Sequence, residues 1–256
     1  MTGPSPSPGG ASPEGARFEW DRRRIPYEAS TRRVMGHAGL SPVFMAWLRE
    51  EVSKETRVLD LGCGEGRLTF ALAPHAGFLT GLDRDGEAIR RAAARAAAEG
   101  VANVRFAVAD VEAVEYDDPA WGGRPDVLTA HLCMSDAMIE RAGRALLPGA
   151  PFAFVCFHRN QWKETGRPSR FSYTEDGIAA RLDRAGFRIV RGRVEEEVLV
   201  FPSPQEAERV LFRGDALPRG WHFEAQRTEG LRAHFRRGGL EVTRRSHLLV
   251  LARRGT

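Results

Sequence analysis

The sequence is poor in cysteine and almost without lysine. Cys63, Cys133 and Cys156 are the only cysteines in 256 residues, and no two of them form a C-x-x-C pair. That spacing argues against a disulfide framework and against a zinc site, so no metal is expected, and it fits a reducing cytoplasm. Lys54 and Lys163 are the sole lysines among 38 basic residues, so arginine carries the positive charge. Set against 34 acidic residues, the formal net charge is only +4, with both signs interspersed along most of the chain. This is the pattern of a solvated surface, and charge alone argues for no nucleic-acid partner. No apolar run reaches the roughly 18 residues that a membrane-spanning helix requires. Met1 to Ala16, rich in Pro, Gly and Ser, has no apolar core, so it reads as a disordered tail rather than a signal peptide.

Much of what is present is organised around Val58-Leu59-Asp60-Leu61-Gly62-Cys63-Gly64-Glu65-Gly66. A short aliphatic run ends in three glycines at alternate positions, and an amphipathic segment from Arg67 to Ala73 follows, stopped by Pro74. The pattern predicts a buried strand, a tight turn and the start of a helix. Glycine there permits a positive φ and lets a ligand approach bare backbone. A dinucleotide fold wants G-x-G-x-x-G, but Arg67 stands where its third glycine would be. Asp60, two residues before the first glycine, is poorly suited to a pyrophosphate and well suited to a ligand bearing an ammonium and a sulfonium.

Further acids follow in register. A second strand, Gly77 to Asp83, ends about twenty residues beyond the turn, the distance at which a carboxylate reaches a ribose. Asp85 is placed to cap a helix from Gly86 to Glu99, closed by Gly100. A third strand, Val104 to Ala109, ends in Asp110. The fourth, Asp126 to His131, leads to a helix from Ala137 to Leu147, and the fifth spans Pro151 to Phe157. His131 and His158 close the fourth and fifth strands and are the candidate general bases, since an imidazole titrates near neutrality. Strand-end histidines also serve simply as satisfied hydrogen-bond partners.

The D-x-G-x-G-x-G turn, the acids at Asp83 and Asp110, and the run from Arg141 to Gly149 together resemble class I S-adenosylmethionine-dependent methyltransferases. The likeness covers roughly residues 56–200 and the last strand, and is nearest to quinone-biosynthesis, carrier-protein and other small-molecule members. It implies an α/β fold: a doubly wound, Rossmann-like sheet of about seven strands, the last antiparallel. It implies S-adenosyl-L-methionine as cofactor, bound by Asp60, Gly62, Cys63, Gly64, Asp83, Arg84, Asp110, Val111 and Ala130. It also implies a small-molecule acceptor. Ala130-His131-Leu132-Cys133 replaces the Asn/Asp-Pro-Pro-aromatic run of amino-methylating enzymes, and a Pro-Cys nucleophile is missing. An RNA acceptor and a non-catalytic binding module are the alternatives.

Two segments lie outside the nucleotide core. Residues 17–55 are expected to form an N-terminal helical lid, with a helix beginning at Ser41-Pro42, or else to pack the sheet with Trp20 and Trp47. Within the methyltransferase domain, 56–256, residues 202–238 read as an insertion between the last two strands. It holds helical pieces at 204–212 and 228–236 and a middle with Trp221 and Phe223. These segments would roof the pocket, with Arg22, Arg23, Arg32 and Arg33 suited to an anionic group on the substrate.

Overall fold

The computed structural model describes residues 18–27, 39–213 and 225–256. The expected tail, Arg32, Arg33, Trp221 and Phe223 lie outside them. The chain runs β1 (Phe18–Pro26), α1 (Pro42–Glu51), β2 (Arg57–Leu61), α2 (Arg67–Leu72), β3 (Phe78–Asp83), α3 (Gly86–Glu99) and β4 (Val104–Val108). It continues through β5 (Val127–His131), α4 (Asp136–Ala145), β6 (Pro151–His158), β7 (Ser172–Tyr173) and α5 (Glu175–Arg184). Last come β8 (Phe187–Val200), α6 (Pro204–Arg213), α7 (Ala225–Arg236) and β9 (Glu241–Arg254).

These strands build one nine-stranded sheet in the order β1-β8-β9-β6-β5-β2-β3-β4, with β7 beside β6. Only β9 runs antiparallel, against both β6 and β8. The chain leaves β2 toward β3 and β4, then returns to the other side of β2 with β5 and β6. The order therefore reverses between β2 and β5, where doubly wound sheets open a ligand crevice at the carboxyl ends of their strands.

Both faces of the sheet are covered, which is why β2, β5 and β6 are nearly continuous apolar runs. Leu59, Leu61, Leu128 and Phe154 pack against Met138 and Ile139 of α4 and Ile178 and Leu182 of α5. On the opposite face Val58, Leu79, Val127 and Val155 pack against Phe44, Trp47 and Leu48 of α1 and Leu68 and Leu72 of α2. Helix ends follow the expected chemistry. Ser41, Asp85, Ser135 and Thr174 accept backbone amides at the N-termini of α1, α3, α4 and α5, and Gly100 closes α3 at φ 66°.

Two differences from the sequence reading stand out. The sheet has nine strands rather than about seven, because Phe18–Pro26 is an edge strand parallel to β8 and the short β7 pairs with the end of β6. Opposite charges hold it there: Arg22 pairs with Glu196 at 3.0 Å, and Arg193 with Asp21 at 2.9 Å. Helix α1, the expected lid helix, is buried on the sheet through Phe44 and Leu48, so here packing prevails. β8 and β9 are antiparallel, each 14 residues long, and α6 and α7 lie between them in sequence. The β8–β9 register shifts between Ile189 and Arg191 and again between Glu197 and Val198.

α6 and α7 form a separate apolar cluster with Phe201, Val242 and Trp162, the last in the loop after β6. Gly230 of α7 lies so close to the Thr165 carbonyl that a Cβ would run into it. Helix propensity favours Gly230→Ala by up to about 1 kcal/mol. The clash should outweigh that and destabilise the chain by about 1–3 kcal/mol. Thermal unfolding decides the sign: a higher melting temperature for the variant would mean α7 does not press on this loop.

Candidate cofactor and substrate site

The turn after β2 is held in a conformation that only glycine adopts cheaply. Gly62, Gly64 and Gly66 have φ of 66°, 53° and 78°, all in the left-handed region. Their surroundings differ. At Gly62 a Cβ would collide with Cys133 Sγ, and at Gly66 it would meet the Phe106 ring at 2.7 Å. At Gly64 it would meet nothing within 4 Å. The first and third glycines are thus required by the protein's own packing, and Gly64 faces open space that a ligand can fill.

β3 fixes this turn from the side. The Gly64 amide donates to Asp83 Oδ2 at 2.8 Å, and the Cys63 amide donates to the Leu82 carbonyl at 3.0 Å. Asp83 Oδ1 accepts the Asp85 amide at 2.9 Å. Each carboxylate oxygen keeps a lone pair for a further donor.

Asp60 lies one strand position behind the turn and is 1% exposed. Its Oδ2 accepts the Thr69 hydroxyl of α2 at 2.6 Å, and its Oδ1 has no partner among the described residues. Burial pushes its carboxyl up to about 7, against which the Thr69 hydrogen bonds act. An orphaned, buried carboxylate oxygen beside a glycine cradle fits a cationic donor such as an ammonium. Asp110 is exposed and its Oδ1 accepts the Glu112 amide at 2.9 Å, a turn-capping bond. Val111 is buried and its carbonyl accepts the Tyr116 hydroxyl at 2.6 Å, which anchors the loop at the end of β4. Ala130 is fully buried in the core, so its side chain faces other apolar groups. Arg84, next to Asp83, is exposed and lines a cavity of about 430 Å³ together with Glu112, Ser135, Asp136, Arg159 and Arg170.

The two candidate bases sit in different surroundings. His131 is half-buried, and burial, reinforced by Arg67 and Arg245, lowers its pKa to about 4. It is a neutral imidazole at physiological pH, well below the value that suits a general base. His158 is 3% exposed and engaged at both ring nitrogens, with Ser246 Oγ at 2.9 Å and Glu175 Oε2 at 3.1 Å. The edge of the Trp20 ring packs on it at 5.4 Å between centroids. This network locks β6, β9 and α5 together and leaves the imidazole no position facing a substrate. Cys63 and Cys133 flank the turn, but burial raises both thiols, Cys133 to about 11, so neither is a nucleophile near neutrality.

Sequence reasoning missed several residues here. Thr69 had no motif to mark it. Leu132, directly after β5, takes φ 58°, a left-handed conformation rare for a branched side chain, while its amide bonds the Val155 carbonyl at 2.7 Å. That kink turns Cys133 against Gly62, and nothing in the sequence announces it. Of the arginines expected to meet an anion, Arg22 is paired with Glu196 and Arg23 with Asp21.

Comparison with known proteins agrees with this geometry. Residues 52–164 match the family described as "Methyltransferase domain". Ubiquinone biosynthesis O-methyltransferase of Coxiella burnetii is 28% identical over 127 residues, 47% of this chain and 52% of that protein. The 23S rRNA (uracil(1939)-C(5))-methyltransferase RlmD of Methylococcus capsulatus is 47% identical over 70 residues, 27% of this chain and 16% of that protein. The structure of Haemonchus contortus phosphoethanolamine N-methyltransferase 2, in complex with S-adenosyl-L-methionine, superposes with a TM-score of 0.54 at 18% identity, covering 87% of this chain and 55% of that one. The chain spans about half the length of the ubiquinone relative and much less of the ribosomal RNA one. The family match falls on the part of the chain that carries the glycine turn and strands β2 to β6 of the sheet. The match ends in the loop after β6, and the solved neighbours, all of low identity, share the fold over most of the chain. Among the described residues no helix is long and apolar enough to cross a membrane.

Two outcomes follow. Gly64→Ala should fold with a penalty of about 1–2 kcal/mol from its left-handed backbone. Gly62→Ala should lose more, because its Cβ also strikes Cys133; equal melting temperatures for the two would contradict the packing. The second outcome concerns Asp60. Its folded pKa lies above its unfolded value, so the folded state holds a proton that the unfolded state has released. Without ligand, stability should fall as pH rises from about 4 to about 7, by up to about 1.4 kcal/mol per pH unit. In Asp60→Asn this slope should vanish from denaturant titrations.

Proposed function

We propose that this chain transfers a methyl group from S-adenosyl-L-methionine to a small-molecule acceptor. One observation carries the reading: a left-handed glycine cradle, open at Gly64 and pinned by Asp83, lies beside the unpaired Asp60 oxygen. Bound there, the cofactor supplies a methyl already activated by its sulfonium. The backbone of Gly62 to Gly66 seats it. Asp60 receives its ammonium, directly or through water. Asp83 accepts the ribose hydroxyls, and Asp110 with Val111 meets the adenine edge.

The remaining task is alignment. This chain's residues would hold the acceptor in line with the electrophilic methyl that the sulfonium supplies. In-line positioning is worth about 7–11 kcal/mol of barrier, so methyl transfer needs no elaborate set of acids and bases. This is consistent with a neutral His131 and a fully engaged His158. α6 and α7 brace Trp162 in the loop that leaves the carboxyl end of β6. That packing supports a role for residues 202–238 in shielding the site from water.

Titration calorimetry tests the cofactor. S-adenosylmethionine and S-adenosylhomocysteine should bind and NAD should not; the reverse preference would end the proposal. Asp83→Ala should weaken the cofactor by about 1.5–3 kcal/mol, the range for a hydrogen bond to a charged group. The likeness to the ribosomal RNA enzyme favours an RNA acceptor as the second reading. A labelled methyl appearing in RNA, with strong salt dependence, would favour it.

A further inference from the structure

The cavity of about 430 Å³ lies against residues that follow β3, β4 and β5, on the same edge of the sheet as the glycine turn. That volume suits a small molecule. Its lining is mainly polar, and its charges do not cancel. Asp136 is paired with Arg181 at 2.6 Å and accepts the Tyr173 hydroxyl at 2.9 Å. Arg84, Arg159 and Arg170 form no ion pair with any described residue, and Glu112 is the only unpaired carboxylate facing them. Elsewhere most arginines are spent on acids, as in Arg22–Glu196, Arg91–Glu65 and Arg193–Asp21.

Hydroxyl donors complete the lining. Ser135 Oγ accepts the Met138 amide and Thr174 Oγ1 accepts the Gly177 amide, which leaves each O–H to donate. Three guanidinium groups and two hydroxyls around one cavity make a donor set that one unpaired carboxylate, Glu112, does not balance. A long apolar tail would strip water from these groups and return nothing.

We propose that the methyl acceptor is a small molecule carrying a carboxylate or phosphate, held in this cavity by Arg84, Arg159 and Arg170. The inference rests on the methyltransferase reading above. The cations are gathered in a concavity with acids on its wall rather than spread along a track, and this favours a compact anion over a nucleic acid.

The test uses the full chain saturated with S-adenosylhomocysteine and titrated with phenyl phosphate, benzoate or phenol. An anion should bind about tenfold or more tighter than phenol, as charge-assisted, bidentate bonds require. The Arg159→Ala/Arg170→Ala double variant should remove that preference while keeping S-adenosylhomocysteine affinity within about twofold, since neither arginine adjoins the cofactor turn. Equal binding of phenol and phenyl phosphate, or anion binding that survives in the double variant, would overturn the inference and leave the cofactor reading standing. Anion binding seen only without S-adenosylhomocysteine would overturn it too, by assigning the arginines to the cofactor's own carboxylate. So would an RNA oligonucleotide that displaces phenyl phosphate with a steep salt dependence. No heat with S-adenosylhomocysteine itself would defeat both readings.

Discussion

The Asp83 carboxylate takes a backbone amide from each of two loops, Gly64 at 2.8 Å and Asp85 at 2.9 Å. A turn with three glycines would otherwise be among the most freely moving parts of the chain, because glycine loses the most entropy on ordering. Hydrogen bonds to a charged acceptor, at about 1.5–3 kcal/mol each, counter that loss. The turn is therefore already shaped before a ligand arrives, and binding need not bear the cost of ordering it. Removing this acid would loosen the cradle as well as delete a contact.

Burial on both faces of the sheet sets the electrostatics. Along β2, Leu59 and Leu61 face α4 and α5, while Val58 and Asp60 face the layer of α1 and α2. A carboxyl in that otherwise apolar layer has Thr69 as its one protein partner, so desolvation dominates its titration. The same desolvation keeps His131 neutral at the neighbouring strand end. Proton affinities at the strand ends thus follow from the sheet's layering more than from any dedicated partner.

The glycine turn and its link to the end of the neighbouring strand were legible because that geometry is local. A glycine turn and an acid about twenty residues later are fixed by one strand–turn–helix unit and its neighbour. The same holds for the caps at Ser41 and Asp85. What could not be read depends on long-range pairing. Phe18–Pro26 shows no clean alternation of apolar and polar residues, and becomes a strand only opposite the acids of β8, about 174 residues away. The burial of His158 needs Ser246 and Glu175 from two other elements. The sequence singled out Arg22 and Arg23, and not Arg159 and Arg170, for an anion; only the fold shows that the first two are already paired with acids.

The charged strand β1 has a consequence at the scale of many molecules. A sheet ends in a row of unpaired amides and carbonyls that can recruit a strand from another chain. Here one of the two terminal strands carries Asp21, Arg22, Arg23 and Arg24 in succession. Their charges are committed to β8, to β9 through Arg24 and Glu241, or to one another. A foreign strand docking alongside would have to dehydrate these groups without offering them new partners. The ion pairs that fasten the strand to the sheet therefore also guard that border against polymerisation.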